Sequence, residues 1–209
     1  MTAQPLPPLI LASGSRYRRE LLERLRLPFS VDVPDIDETP LPGETPHETS
    51  LRLARQKARA VAARHPGALI IGSDQVATFE GRQIGKPGNF DNAMAQLRDM
   101  RGKVVEFHSA LCLHDARADT TQATDVVTRV KFRNLPDDVL AAYLHAERPY
   151  DCAGSAKSEG LGIMLLETID SDDPTALIGL PLIALTTMLI HVGISLPGPG
   201  ASSDKGATA

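Results

Sequence analysis

Leu69-Ile70-Ile71-Gly72-Ser73-Asp74-Gln75, with Gly85-Lys86-Pro87 ten residues further on, is the stretch on which the fold turns. Leu69 to Gly72 reads as a buried strand that ends abruptly at Ser73-Asp74-Gln75 and delivers a carboxylate to its carboxyl end. Open α/β sheets bind their ligands there. Val76 to Phe79 can continue as a strand, Glu80-Gly81-Arg82 supplies a turn, and the return leg brings Gly85-Lys86-Pro87 back beside Asp74. Taken alone, the same residues would serve as a surface hairpin carrying a weak salt bridge.

Upstream, Leu9-Ile10-Leu11-Ala12 reads as a first buried strand that breaks at Ser13-Gly14-Ser15 and gives way to a helix over about Arg16 to Arg26. A strand, a small-residue turn and a helix N-terminus form an anion-binding arrangement, with Ser13, Ser15, Arg18 and Arg19 as added donors. Ser15 would equally serve as a plain N-cap. Phe29, Val31 and Val33 suggest a second strand stopping at Pro34, before the carboxylates Asp35, Asp37 and Glu38. Such acids either face water or, as Asp37 or Glu38 with Asp74, supply oxygens to Mg²⁺ or Mn²⁺ completed by substrate phosphates.

Thr45-Pro46-His47-Glu48 combines a capping box with proline at the first helical position and predicts a helix to about His65. Its apolar stripe is Leu51, Ala54, Ala58 and Val61, with Lys57 at the border, free to snorkel or to reach a phosphate. A short helix capped at Asn89 or Asp91 follows and ends at Gly102. Val104 to Leu113 and Val126 to Arg133 then alternate as a long antiparallel hairpin. His108 and His114 are expected at its surface, with no partner set for metal ligation. After a helix over about Pro136 to Glu147, the glycine-rich run Cys152 to Gly162 leads to an expected strand over Ile163 to Leu166. In that run Lys157 and Glu159 would suit recognition of a polar heterocycle. Leu180 to Ile190 reads as a buried terminal helix, far short of the roughly 20 apolar residues of a membrane span.

The composition narrows the classes. The chain has 209 residues, 42% hydrophobic and 23% charged, which suits one globular α/β domain. A net charge of −4 argues against a nucleic-acid-coating protein. Two cysteines, Cys112 and Cys152, indicate neither a disulfide framework nor a zinc site. Met1 to Pro8 lacks the basic and apolar regions of a signal peptide, so a cytoplasmic setting is expected. Residues 1–8 are expected to be a flexible lead, 9–196 the domain, and 197–209 a disordered tail.

The ordered set Ser13-Gly-Ser-Arg-Tyr-Arg-Arg19, Asp37-Glu38-Thr39, Lys57, Ser73-Asp74-Gln75, Gly85-Lys86-Pro87 and Gly179-Leu-Pro181 resembles the Maf family of nucleoside triphosphate pyrophosphatases. The resemblance implies an α/β fold like that of the inosine triphosphate pyrophosphatases: a long mixed sheet flanked by helices, with a cleft between two lobes. It implies a homodimer, a divalent cation (Mg²⁺ or Mn²⁺), and hydrolysis between the α- and β-phosphates to a monophosphate and pyrophosphate. By that resemblance Asp74 is the proton acceptor, Glu38 helps it hold the metal, and Lys57, Lys86, Ser13, Ser15 and Arg18 contact phosphates. A carboxylate of ordinary acidity is a poor base at neutral pH, so Asp74 is expected either to be a weakened acid or chiefly to orient a water.

Tyr17, Gln75 and Glu159 occupy the positions that speak to the base. With Cys152-Ala-Gly-Ser-Ala-Lys-Ser-Glu-Gly160 they resemble the 7-methyl-GTP pyrophosphatase branch, although Tyr17 and Arg16 stand where that branch has Trp and Pro. A 7-methylguanine ring is cationic, so an aromatic face and a carboxylate suit it. The alternatives are a dTTP/UTP or broader nucleotide pyrophosphatase, and, from the family's link to septum formation, a nucleotide-binding regulator of division.

Overall fold

The computed structural model describes residues 7–197. The expected lead and tail therefore lie outside the described residues except for Pro7, Pro8 and Pro197, and the Pro8 carbonyl is already tied to the sheet by the Leu69 N–H at 2.8 Å. The strands are β1 (Leu9–Ala12), β2 (Ser30–Val31), β3 (Leu69–Phe79), β4 (Arg82–Ile84), β5 (Val104–Asp115), β6 (Thr120–Phe132) and β7 (Leu166–Asp170). The helices are α1 (Arg16–Glu23), α2 (Pro46–Ala62), α3 (Phe90–Met100), α4 (Asp137–Glu147) and α5 (Leu182–His191). One seven-stranded mixed sheet runs in the order β2-β1-β3-β5-β6-β7, with β4 added to the far half of β3. β1 is parallel to both β2 and β3, and the remaining pairings are antiparallel.

β3 does not end at Asp74. It continues for 11 residues to Phe79, because β5 pairs with it from Leu69 to Thr78 and keeps the backbone extended. The interruption falls on its other edge. β1 pairs only as far as Gly72, and β4 begins only opposite Ala77, so among the described residues Ser73 to Val76 has no strand on that side. Glu80 and Gly81, both at positive φ, make the two-residue hairpin turn that sends β4 back.

The two faces of β3 differ. Ile70, Gly72 and Asp74 face α2, whose buried positions include Leu53, Ala54, Lys57, Ala58 and Val61. Gly72 is required there, because a Cβ would overlap the Ala54 carbonyl of α2. The opposite face carries two apolar clusters. Leu69, Ile71, Leu111 and Leu113 pack under α1 and α5, while Ala77, Phe79, Phe107 and Val105 pack under α3 and α4. Between them lie Ser73, Gln75 and Ser109, a polar band that separates the two apolar clusters on this face.

Several elements differ from the sequence reading. The α2 stripe is rotated, so Lys57 sits within the buried face rather than at its border, and Leu51 is only partly buried. β2 has two residues, and Val31 and Val33 are exposed at the sheet edge. β6 starts at Thr120, since its threonine-rich first half is held by β5. Residues 161–165 form a 3₁₀ turn, and the strand begins at Leu166. α5 leaves Ile183 and Ile190 exposed and is buried on one side only. His114 is buried, with its Nδ1 2.9 Å from the Thr121 hydroxyl.

Candidate active site

A cleft of about 650 Å³ opens along the unpaired edge of β3, between the loop after β1, the segment before α2, the exit of β4 and the glycine-rich run. Ser13, Ser15, Tyr17, Arg18, Glu38, Lys57, Asp74, Gln75, Lys86 and Glu159 all line it, whereas Arg19, Asp37 and Lys157, also candidates from the sequence, do not. The carboxyl end that serves the site is that of β1. There Ala12 stops pairing and Ser13-Gly14-Ser15 turns into α1.

Ser15 caps α1, its hydroxyl accepting from the Arg18 N–H at 3.4 Å. The Ser13 hydroxyl accepts from the Ser15 N–H at 3.1 Å and from Arg18 Nη1 at 3.4 Å. First-turn amides have no partner within their helix, and this turn presents them with the positive end of the dipole at the cleft. Arg18 is anchored by donating from Nε to the Gly179 carbonyl at 2.9 Å, and the buried Ser73 hydroxyl donates to the same carbonyl at 3.0 Å. Desolvation lowers the pKa of the Arg18 guanidinium below the usual arginine value, while Asp74 and Glu38 oppose that shift. Gly179, at φ 125°, holds a conformation that favours glycine. Its carbonyl is the hub linking α1, β3 and the segment before α5, a role the Gly179-Leu180-Pro181 signature did not reveal.

The charged centre is a chain of three groups. Lys57 Nζ donates to Asp74 Oδ1 at 2.7 Å and to Glu38 Oε2 at 2.9 Å. Lys57 and Asp74 are 5% and 6% exposed, and each meets the other's need for a polar partner in the buried site. The partner of Asp74 is thus Lys57 and not Lys86, as the hairpin reading had it. Lys86 is exposed and has no ion-pair partner among the described residues, which leaves its charge to the cleft. Asp37 points elsewhere and closes a turn by accepting from the Thr39 N–H at 2.9 Å. Glu38 and Asp74 are joined through one ammonium, which brings to one point of the cleft the two carboxylates expected to hold a divalent ion. Two carboxylates suit an ion that keeps waters and shares phosphate oxygens, rather than one caged by protein.

The opposite wall is built around Tyr17. The Arg16 guanidinium lies 4.7 Å from its ring centroid and donates to its hydroxyl at 2.7 Å. Burial pushes the Tyr17 phenol up to about 12, and it donates to Asp151 at 3.4 Å. Asp151 lines the cleft beside Glu159. Sequence reading missed it, although it directly precedes the quoted Cys152 motif. Lys157 and Glu159 do not act as a pair: Lys157 turns away to Glu147 at 2.7 Å, and only Glu159 faces the cleft. Gln75 lines the floor, but its Nε2 is committed to Ser109 Oγ (3.0 Å) and the carbonyls of Ala176 (3.1 Å) and Leu177 (3.0 Å).

A family model described as Maf-like protein matches residues 8–192. The chain belongs to this Maf-like family. It is 68% identical over 208 residues to a protein of Burkholderia thailandensis named 7-methyl-GTP pyrophosphatase, covering 98% of this chain and 97% of the relative. Proteins of the same name from Ralstonia nicotianae and Cupriavidus pinatubonensis are 69% and 65% identical, covering 89% and 92% of this chain and 96% and 97% of their own. The Maf-like match takes in all seven strands, the cleft and α5.

Proposed function

We propose that the chain is a nucleoside triphosphate pyrophosphatase that hydrolyses 7-methyl-GTP to 7-methyl-GMP and pyrophosphate. The observation that carries this reading is the Glu38–Lys57–Asp74 chain facing the Ser13–Ser15 turn across one cleft. The names of the close relatives support the substrate. In this reading the Ser13–Ser15 turn, Arg18 and Lys86 receive the triphosphate. Lys57 engages Oδ1 of Asp74 and fixes the orientation of the carboxylate, which as the expected proton acceptor orients the attacking water. Mg²⁺ or Mn²⁺, held by Glu38 and Asp74 with phosphate oxygens, would supply neutralisation of the charge developing at phosphorus.

The base-binding half of the proposal rests on Tyr17, Asp151 and Glu159. Two carboxylates beside an aromatic ring suit a cationic base, and Glu159 can accept from the guanine N1–H and amino edge. Arg16 already covers one face of Tyr17, so the base takes the other face or displaces Arg16. Gln75 acts through the Ala176–Leu177 backbone that it holds. A homodimeric state, which rests on the family resemblance, and a cytoplasmic setting, which rests on cysteine usage, belong to the same proposal. No helix among the described residues is long and apolar enough to cross a membrane.

The test is chromatographic release of monophosphate and pyrophosphate from 7-methyl-GTP, GTP, dTTP, UTP, CTP and ITP, with Mg²⁺, with Mn²⁺ and without metal. Asp74→Asn should lower kcat at least about 100-fold while nucleotide binding is retained. Preference for dTTP and UTP would remove the Tyr17 and Glu159 assignment and leave the reaction standing. Binding without turnover of any triphosphate would favour the regulator.

A further inference from the structure

A second polar cluster lies outside the cleft. His47 in the first turn of α2, His108 on β5 and Asp125 on β6 bring two imidazoles and a carboxylate within 4.8 Å of one another. His47 Nδ1 is 2.9 Å and His108 Nδ1 2.7 Å from the same oxygen, Asp125 Oδ2. The rings stand at 71° with centroids 6.4 Å apart, so their Nδ1 atoms converge on one point from different planes. The side chain of Asp125 is only 2% exposed, and its Oδ1 is buried without a hydrogen-bond partner among the described residues. Two imidazoles therefore satisfy one oxygen of a buried carboxylate and leave the other without the partner that such atoms normally have.

We infer that His47, His108 and Asp125 form a binding site for a borderline divalent transition-metal ion such as Zn²⁺, separate from the Glu38–Asp74 pair. Two imidazole nitrogens and a carboxylate suit Zn²⁺ and its neighbours, whereas Mg²⁺ asks for an oxygen shell. A carboxylate on the ion brings Oδ1 into use, which the two histidines alone do not. Tetrahedral ligation at 2.0–2.1 Å separates donor atoms by about 3.3 Å, so each of the two nitrogen–oxygen separations must open by about half an ångström. His47 can make that adjustment, since its side chain is 55% exposed at a helix end, and the exposure also gives the ion an entry path and a fourth position open to water. In the sheet, Asp125 pairs with Ala110 and Ala110 with Asp74, which sets the two carboxylate positions about 10 Å apart on the face that α2 covers. An ion here would pin the start of α2, the helix that carries Lys57, to the β5–β6 hairpin.

The chain, stripped with chelator and desalted, is titrated with ZnCl₂ by calorimetry in competition with a chromophoric chelator, and in parallel with MgCl₂. Wild type should take one zinc equivalent that excess Mg²⁺ does not displace. His47→Ala, a change at an exposed position, should weaken it by at least about 10–100-fold, the loss typical of removing even an outer-shell partner. Asp125→Asn should do the same if circular dichroism shows it folded, and a Co²⁺ visible spectrum of nitrogen ligation should vanish in His47→Ala. Failure of wild type to bind zinc, or equal affinity in His47→Ala, would overturn the inference. The readout is binding and not turnover, and none of the three residues lines the cleft, so the result is independent of the pyrophosphatase reading.

Discussion

Replacing Lys57 with Met keeps the length of the side chain and removes the cation shared by Asp74 and Glu38. Asp74 would then be a buried carboxylate without a partner, which costs about 3 kcal/mol when one half of a buried pair is lost. Lys57→Met should therefore unfold at lower urea than wild type, and Mn²⁺ should restore part of the difference by taking the place of the ammonium. A variant as stable as wild type would mean that Asp74 does not depend on the Lys57 cation. The identities of Ser13, Arg18, Glu38, Lys57, Asp74 and Lys86 were all legible as candidates before the fold was known. Which cation serves Asp74 was not, because Lys57 and Lys86 are both near it in the chain's logic and only the rotation of α2 decides between them.

At the level of elements, the start of α2 is held by an acidic residue in front of its capping box. Glu44 accepts from the Leu41 N–H at 2.9 Å, from the Thr49 hydroxyl at 3.1 Å and from Arg52 Nη2 at 2.8 Å. Its hydrogen bonds with Arg52, foremost among these contacts, lower its pKa from 4.5 to about 2. A carboxylate whose folded pKa is depressed contributes stability that is present above its unfolded pKa and lost as pH falls through the folded one. The urea midpoint should therefore fall as pH is lowered from about 4.5 towards 2. Arg52→Gln should flatten that part of the profile relative to wild type. Thr45, Pro46 and Glu48 announced this helix start in sequence, whereas Glu44 and Arg52 are eight residues apart and meet only through the turn that the cap creates.

On the scale of the whole molecule, the cleft exists because one face of β3 and β5 changes character half-way. Ser73, Gln75 and Ser109 separate the apolar cluster under α1 and α5 from the one under α3 and α4. Gln75→Leu would remove the donor to the Leu177 carbonyl and one donor to Ala176, at a cost of about 1–3 kcal/mol for an acceptor left unpaired. Hydrogen exchange of residues 176–180 should quicken, and KM for the nucleotide should rise, because Leu177 to Gly179 line the cleft. Unchanged exchange and KM would assign Gln75 no such role. The cores of β1, β3, β5 and β6, the capped helix and the small-residue turn before α1 were determined by local sequence, since period, caps and turn residues act within a few positions of one another, whereas the limits of β3 and β6 were set by pairing with β5. The site's location at a gap between β1 and β4, the burial of Lys57 and the meeting of His47, His108 and Asp125 were decided by tertiary structure alone. Those depend on which strand edges are left unpaired and on how closely α2 approaches the sheet at Gly72, contacts between segments far apart in the chain for which local pattern carries no signal.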